Sequence, residues 1–244
     1  MRTGKAYEHL SEWFEFLNDD CGYPAWSEYI LKSLKAFQAG NKGLELGCGS
    51  GAFCRALARE GYVMSGADIS SEMLTQAQHL CAEENLSVNF FLADAAHLVA
   101  PEKYDFIISP NDCFNYLPPN ALVGAFKKVR ACLKTGGIFL FDISSEYKLR
   151  RKVADTVSVD DREELTYLCF SKLNESKVEL SVSLFVKRKD GSYERFDESH
   201  TQYIHGEDFL TAALRQAGFE ILSLEGHLGE NKEGSDRLNF ICRR

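Results

Sequence analysis

The sequence has no apolar run approaching the roughly 20 residues needed to cross a bilayer, which argues against a membrane-spanning helix. No two of its eight cysteines form a Cys-x-x-Cys pair, and no clustered ligand motif stands in for one, so neither a metal site nor a redox pair is expected. Several cysteines lie inside apolar periodic stretches, as Cys132 does between Val129 and Leu133. Small buried thiols of a reducing cytosol have that placement. Basic charge is also short: 28 Lys and Arg stand against 36 Asp and Glu, a net charge of −8. A nucleic acid partner needs a concentrated basic face. Lys127, Lys128, Arg130 and Lys134 on one expected helix, and Lys148, Arg150, Arg151 and Lys152 on another, read as solvated surface. The first residues, MRTGKAYEHLSEWFEF, carry acidic groups and no apolar core of the secretory kind, so a cytoplasmic protein is expected. Internal repeats, low-complexity stretches and interdomain linkers are absent as well.

What is present is enough for one large α/β domain, or a domain with a sizeable insertion: 244 residues, 45% hydrophobic and 26% charged. Tyr7, Leu10, Phe14 and Leu17, then Tyr29, Ile30, Leu34 and Phe37, recur at helical spacing and predict a helical cap over residues 1–40. From residue 43 to about 143, short apolar runs alternate with helical stretches, the pattern of a parallel sheet with right-handed crossovers. Residues 144–205 break that rhythm. Val178, Leu180, Val182, Leu184 and Val186 alternate with polar or outward residues, and Asp190-Gly191 signals a tight turn into a further strand near Tyr193. With another strand over 165–173, these predict an antiparallel lid inserted into the main domain, which comprises 1–143 and 206–244.

The densest signal is Leu44-Glu45-Leu46-Gly47-Cys48-Gly49-Ser50-Gly51-Ala52-Phe53. An apolar strand runs into three alternate glycines and then into a helix, which allows a tight turn and a close backbone approach to a ligand that meets free N–H groups. Gly47, Gly49 and Ala52 also satisfy the dinucleotide fingerprint in its Gly/Ala form. Asp68 ends the next strand, 21 residues beyond Gly47, where a carboxylate faces a ribose. The alternative is a cap on the helix beginning near Ser71. Asp94 ends the third strand and either accepts from an adenine amine or serves as a plain turn aspartate.

Residues 43–53, Asp68 with Met73-Leu74 and Ala77, Asp94-Ala95, 104–116 and 133–142 resemble the motifs of the class I S-adenosylmethionine-dependent methyltransferases. The likeness covers roughly residues 36–143 and the closing segment from Glu207. It implies a Rossmann-like, mostly parallel seven-stranded sheet with helices on both faces and a C-terminal antiparallel hairpin. By that resemblance Gly47, Gly49 and the adjoining backbone, with Cys48 and Gly51, hold the methionyl end of S-adenosylmethionine, Asp68 the ribose, and Asp94 with Ala95 the adenine; Ile69 and Met73 also belong to the cofactor site. Glu45 suits the cofactor's cationic end better than it suits a pyrophosphate, and the closing hairpin disfavours a nicotinamide-dependent oxidoreductase. Tyr7 and Trp26 are placed as aromatic covers of the cofactor, with core packing as the alternative. Ser109-Pro110-Asn111-Asp112-Cys113-Phe114-Asn115-Tyr116-Leu117 departs from the Asn/Asp-Pro-Pro-Tyr box of adenine and glutamine methylation. It resembles the Asp-x-x-Asn-Tyr-Leu variant of small bacterial enzymes with a β-ribbon lid. Asn111 and Asp112 then lie near the transferred methyl, and Tyr116 walls the pocket. On a strand, Glu198, His200 and Gln202 share one face. If that face points inward, His200 is placed to act as a base; the alternative is an outer polar face. The expected partner is a small-molecule methyl acceptor, bound by a monomer or homodimer; the alternatives are a methyltransferase acting on protein or RNA, and a protein that binds S-adenosylmethionine without turnover.

Overall fold

The computed structural model describes residues 10–244. A 3₁₀ turn at Leu10–Trp13 leads into one turn of α1 (Phe14–Leu17), and after Gly22 the chain enters α2 (Tyr23–Ala36) with Pro24 in its first turn. The helix expected from Tyr7 to Leu17 is therefore short among the described residues, and Tyr7 itself lies outside them. Strands and helices then alternate: β1 (Lys42–Leu46), α3 (Ala52–Arg59), β2 (Val63–Asp68), α4 (Ser71–Glu83), β3 (Asn89–Leu92), β4 (Tyr104–Ser109), α5 (Pro119–Cys132) and β5 (Leu133–Ser144). The chain closes with α7 (Glu207–Gln216), β10 (Glu220–Glu225) and β11 (Arg237–Arg243).

The seven strands run β10-β11-β5-β4-β1-β2-β3. Pairings among the first five are parallel, and β11 is antiparallel to both β5 and β10. After β3 the chain returns to lay β4 beside β1, so the strand order reverses there. The crevice beyond the carboxyl ends of β1 and β4 is where such a sheet receives ligands.

Both faces of the sheet are covered. On one, Phe114, Phe126, Phe139, Phe141 and Phe240 are fully buried, with the Phe139 and Phe141 rings stacked at 4.7 Å. On the other, Ile30 and Leu34 of α2 and Leu57 of α3 pack on Phe106, Ile108 and Leu140. This two-sided burial explains why β4 and β5 read as continuous apolar runs and not as alternation.

Between β5 and α7 the chain forms α6 (Glu146–Lys148), a π turn at Leu149–Val153, and a second sheet. Its strands, β6 (Val157–Asp161), β7 (Leu165–Asn174), β8 (Lys177–Lys187) and β9 (Tyr193–Tyr203), pair antiparallel in chain order. This sheet has four strands where three were expected. The missing one, β6, carries only two apolar residues, too few to register as a period. Asn115 ties the insertion to the core. Its amide donates to the carbonyls of Ser144 (3.3 Å) and Tyr203 (3.0 Å), and its oxygen accepts from Ser144 N (2.9 Å).

Candidate functional site

At the carboxyl end of β1 the chain turns through Gly47 and Gly49, both with left-handed φ (73° and 51°). A Cβ on Gly47 would sit 2.5 Å from the Cys113 sulfur, so this turn admits glycine alone. Three amides of the loop are engaged within the protein. Gly47 N and Cys48 N donate to Ala67 O (2.8 and 3.0 Å), and Gly49 N donates to Asp68 Oδ2 (2.8 Å). At Gly47 and Gly49 the loop offers a ligand close approach.

Asp68 accepts from Ser70 N at its second oxygen (2.9 Å), while Ser70 is the side chain that caps α4 through Met73 N (3.2 Å). The helix-cap alternative for Asp68 therefore falls to its neighbour. Each Asp68 oxygen keeps a lone pair for a hydroxyl, and burial raises its pKa against the pull of those amide hydrogen bonds. Asp94 does act as a turn residue, accepting from Ala96 N (2.8 Å) and lying 2.8 Å from His97 Nδ1. It also borders the cavity described next, so the two readings of Asp94 coexist.

A cavity of about 860 Å³ opens beyond β1 and β4. Its floor is Gly47, Gly49, Asp68, Ile69, Met73, Asp94 and Ala95; its far wall is Asn111, Asp112, Tyr116, His200 and Gln202. Eleven of the sixteen residues expected from sequence line this one space. Tyr7, outside the described residues, is not placed. Four others lie elsewhere, and each corrects the expectation. Trp26 is buried against Phe53, His227 and the Arg237 guanidinium (5.2 Å), lining a smaller cavity of about 150 Å³. Phe14 lines the larger cavity, which Trp26 does not reach. The Cys48 thiol points under the loop toward Gly49 O, and Gly51 packs on Ala77 and Phe90 as the left-handed cap of α3.

Glu45 is the fourth. It is 2% exposed, and its Oε2 accepts from Cys54 N (2.7 Å) in the first turn of α3. Burial pushes its carboxyl up to about 8, against the hydrogen bonds from Cys54 and with repulsion from Asp68 adding to it. Between about pH 4.5 and 8 the unfolded chain has lost a proton that the folded protein keeps. Stability therefore falls as pH rises through that window and levels off above it. In Glu45→Gln, whose amide oxygen still accepts from Cys54, this slope is removed. Urea midpoints at pH 5 and pH 8 should show the variant gaining on the wild type as pH rises; parallel behaviour would contradict the buried, protonated carboxyl.

The far wall rests on a network that the sequence did not reveal. Asn111 and Asp112 are consecutive non-glycine residues with left-handed φ (64° and 56°), a conformation that persists only when its surroundings enforce it. Arg237 of β11 donates to Asn111 Oδ1 (2.8 Å) and pairs with the fully buried Asp142 of β5. Asp142 Oδ1 accepts from Asp112 N (3.2 Å), while Asp112 Oδ2 accepts from Ser144 Oγ (2.8 Å) and from Gln202 Nε2 of β9 (3.0 Å). Burial opposes ionisation of Asp112, but Arg237 and Lys148 outweigh it and hold its carboxyl below the usual range. Burial raises Asp142 despite Arg237. Lys148, read from sequence as solvated surface, instead lines the cavity and donates to Ser144 Oγ (3.2 Å).

Glu198, His200 and Gln202 face inward and are at most 8% exposed. His200 lies edge-on to the Tyr116 ring with centroids 6.3 Å apart. Segment 10–20 adds Leu10, Phe14, Leu17, Asn18 and Asp20 to the lining. It is fastened to both halves: Glu15 accepts from Ser50 Oγ and from Arg55 (2.7 Å each), and Arg162 donates to Phe16 O and to Asp19. Among the described residues no cluster of His, Cys, Asp and Glu has the spacing of a metal site, and no helix is long and apolar enough to cross a membrane.

A family model described as a methyltransferase domain matches residues 44–137. A protein of Geobacillus sp. (strain WCH70), named as a methyltransferase with no acceptor stated, is 30% identical over 246 residues, covering 98% of this chain and all of its own. The crystal structure of an S-adenosylmethionine-dependent methyltransferase from Clostridium acetobutylicum ATCC 824 superposes with a TM-score of 0.87 at 26% identity, over 95% of each chain. The sugar N-methyltransferase KedS8 from Streptoalloteichus sp ATCC 53650 shares the fold, with a TM-score of 0.82 at 16% identity, over 100% of this chain and 97% of its own.

Proposed function

We propose, from the premise that this chain belongs to the S-adenosylmethionine-dependent methyltransferases, that it methylates a small neutral or cationic molecule held under the inserted sheet. The observation that carries this reading is the continuous cavity of about 860 Å³ running from the glycine turn to His200 and Gln202. That volume is near the top of the range for small-molecule sites, about 300–1,000 Å³, and so has room for cofactor and acceptor together. In this reading residues 144–205 are a lid on the domain formed by 1–143 and 206–244.

The residues present fit the cofactor. Asp68 offers one lone pair on each oxygen to the ribose hydroxyls. Ile69 is 67% exposed, and an adenine ring laid between it and Ala95 would cover it. Asp94 accepts from the adenine amine, and Gly47, Gly49 and Asn111 border the methionyl end. When bound, S-adenosylmethionine supplies a methyl on a sulfonium, a leaving group already activated. The protein's work is therefore alignment and exclusion of water. Asp112 and Tyr116 wall the transfer position, and His200 takes the proton of an acceptor that arrives as a hydroxyl or an ammonium group.

The charge of the acceptor follows from the charged groups lining the cavity. Arg162 is held by Asp160 and Asp19, and Lys148 sits in the field of Asp112. With them the lining carries Asp20, Asp68, Asp94, Asp112 and Asp160, an acidic balance that disfavours an acceptor's carboxylate or phosphate. A small-molecule acceptor is also what KedS8's description, a sugar N-methyltransferase, states for that protein.

The test is transfer of tritium from methyl-labelled S-adenosylmethionine to a panel of small amines, alcohols and phenols. Label is expected on a neutral or basic member of the panel. His200→Asn is expected to bind S-adenosylhomocysteine as the wild type does and to lose about 100-fold or more in turnover. Full turnover in His200→Asn would remove the histidine from the chemistry, and label on acidic acceptors alone would overturn the charge argument.

A further inference from the structure

His200 does not stand alone on its strand. Glu198 lies two residues before it on the same inward face of β9, and its side chain is 1% exposed. Glu198 Oε2 is 3.3 Å from His200 Nε2, and Oε1 accepts from Leu10 N at 3.1 Å. A carboxyl taken this far out of water costs several kcal/mol unless its oxygens are engaged; here one oxygen faces the imidazole and the other faces the N-terminal segment. The amide of Leu10 fixes which way the carboxyl is turned, and Leu10 also lines the cavity.

We infer that Glu198 is a positioning residue for His200: set in place by the N-terminal segment, its carboxylate orients the imidazole and stabilises its protonated form. The inference rests on the reading of His200 as proton acceptor. In the transfer, the acceptor atom bonds to the methyl carbon as the methyl–sulfur bond breaks and its electron pair returns to sulfur. The acceptor's proton passes to the His200 ring, where the Glu198 carboxylate offsets the new positive charge. Because Leu10 belongs to segment 10–20, which also lines the cavity, the orientation of the carboxyl is tied to that segment.

Other groups share this part of the cavity: Tyr116 after β4, Tyr167 from β7, Asp112 beside Gln202, and Lys148 from α6. Burial pushes the Tyr167 hydroxyl up, and the cations near Asp112 hold its carboxyl down against burial. Neither changes charge between about pH 5 and 9, whereas burial and Arg237 lower Lys148, so the titration is repeated in Lys148→Gln to separate that charge from the His200–Glu198 pair.

The test is NMR titration of the histidine ring protons in the full chain, alone and with S-adenosylhomocysteine. The chain has six histidines, and the His200 signal is the one absent from His200→Asn. Glu198→Gln keeps an oxygen for Leu10 N and removes only the charge, so the fold is retained. Its His200 midpoint is expected to fall by about one unit or more, and Glu198→Asp is expected to recover most of that fall. The same midpoint in wild type and Glu198→Gln would overturn the inference. The titration needs no acceptor, so it judges the pair by itself. Whether His200 serves as base is judged separately, by product formation in His200→Asn.

Discussion

Replacing Arg237 by methionine is expected to destabilise the protein by about 3–5 kcal/mol near pH 7. The guanidinium serves two buried carboxylates, Asp142 directly and Asp112 at 3.6 Å, and it also holds the Asn111 side chain. Methionine fills much of the same volume and stacks on Trp26 in its place, so packing is largely kept. What remains is an uncompensated charge in a site with no exposure at Asp142. Burial raises Asp142 even with Arg237 present, and removing the cation raises it further. The folded variant then holds a proton that the unfolded chain has released, so its deficit against the wild type shrinks as pH falls. Urea unfolding of both proteins from pH 5 to pH 8 measures this. A loss below about 1 kcal/mol, the scale of an exposed ion pair, would mean that the network does not hold the turn.

The second large effect is expected at Asp68. Asp68→Ala should weaken binding of S-adenosylmethionine by about 1–3 kcal/mol, since buried ribose hydroxyls lose a charged partner. That range corresponds to roughly 5- to 150-fold in Kd. Alanine also strips the acceptor from Gly49 N and Ser70 N, loosening the glycine turn that borders the same ligand. Asp68→Asn keeps one acceptor oxygen and should lose less. Calorimetric titration of the three proteins orders them as wild type, Asn, Ala. Equal affinity in all three would take the ribose away from Asp68.

The parts of this molecule legible in its sequence are those set by local rules. Alternating strands and helices, the Gly47–Gly51 turn and the carboxylates ending β2 and β3 each carry a short-range signature, and the structure places Asp68 and Asp94 at one cavity. The inward face of β9 was legible as a period of two but not in its direction, because three polar residues in alternation suit a wet face as well as a wet cavity. The support of the far wall was not legible. Arg237 and Asp142 lie 95 residues apart and meet only because β11 inserts antiparallel beside β5. Lys148 belongs to a basic run whose other members face water, and nothing in the run marks the one that turns inward. Glu45 misled for the opposite reason. A carboxylate entering a ligand loop looks like a ligand group, but strand alternation turned it under α3, where an amide was waiting.

The most direct test of the account is calorimetric titration of the purified chain with S-adenosylmethionine, S-adenosylhomocysteine and NADH side by side. Saturable micromolar binding of the first two and none of the third is the expected result, with the shared affinity lowered in Asp68→Ala. Binding of NADH in place of the sulfonium compound and its product would contradict the account, and would return the glycine turn and Asp68 to a dinucleotide.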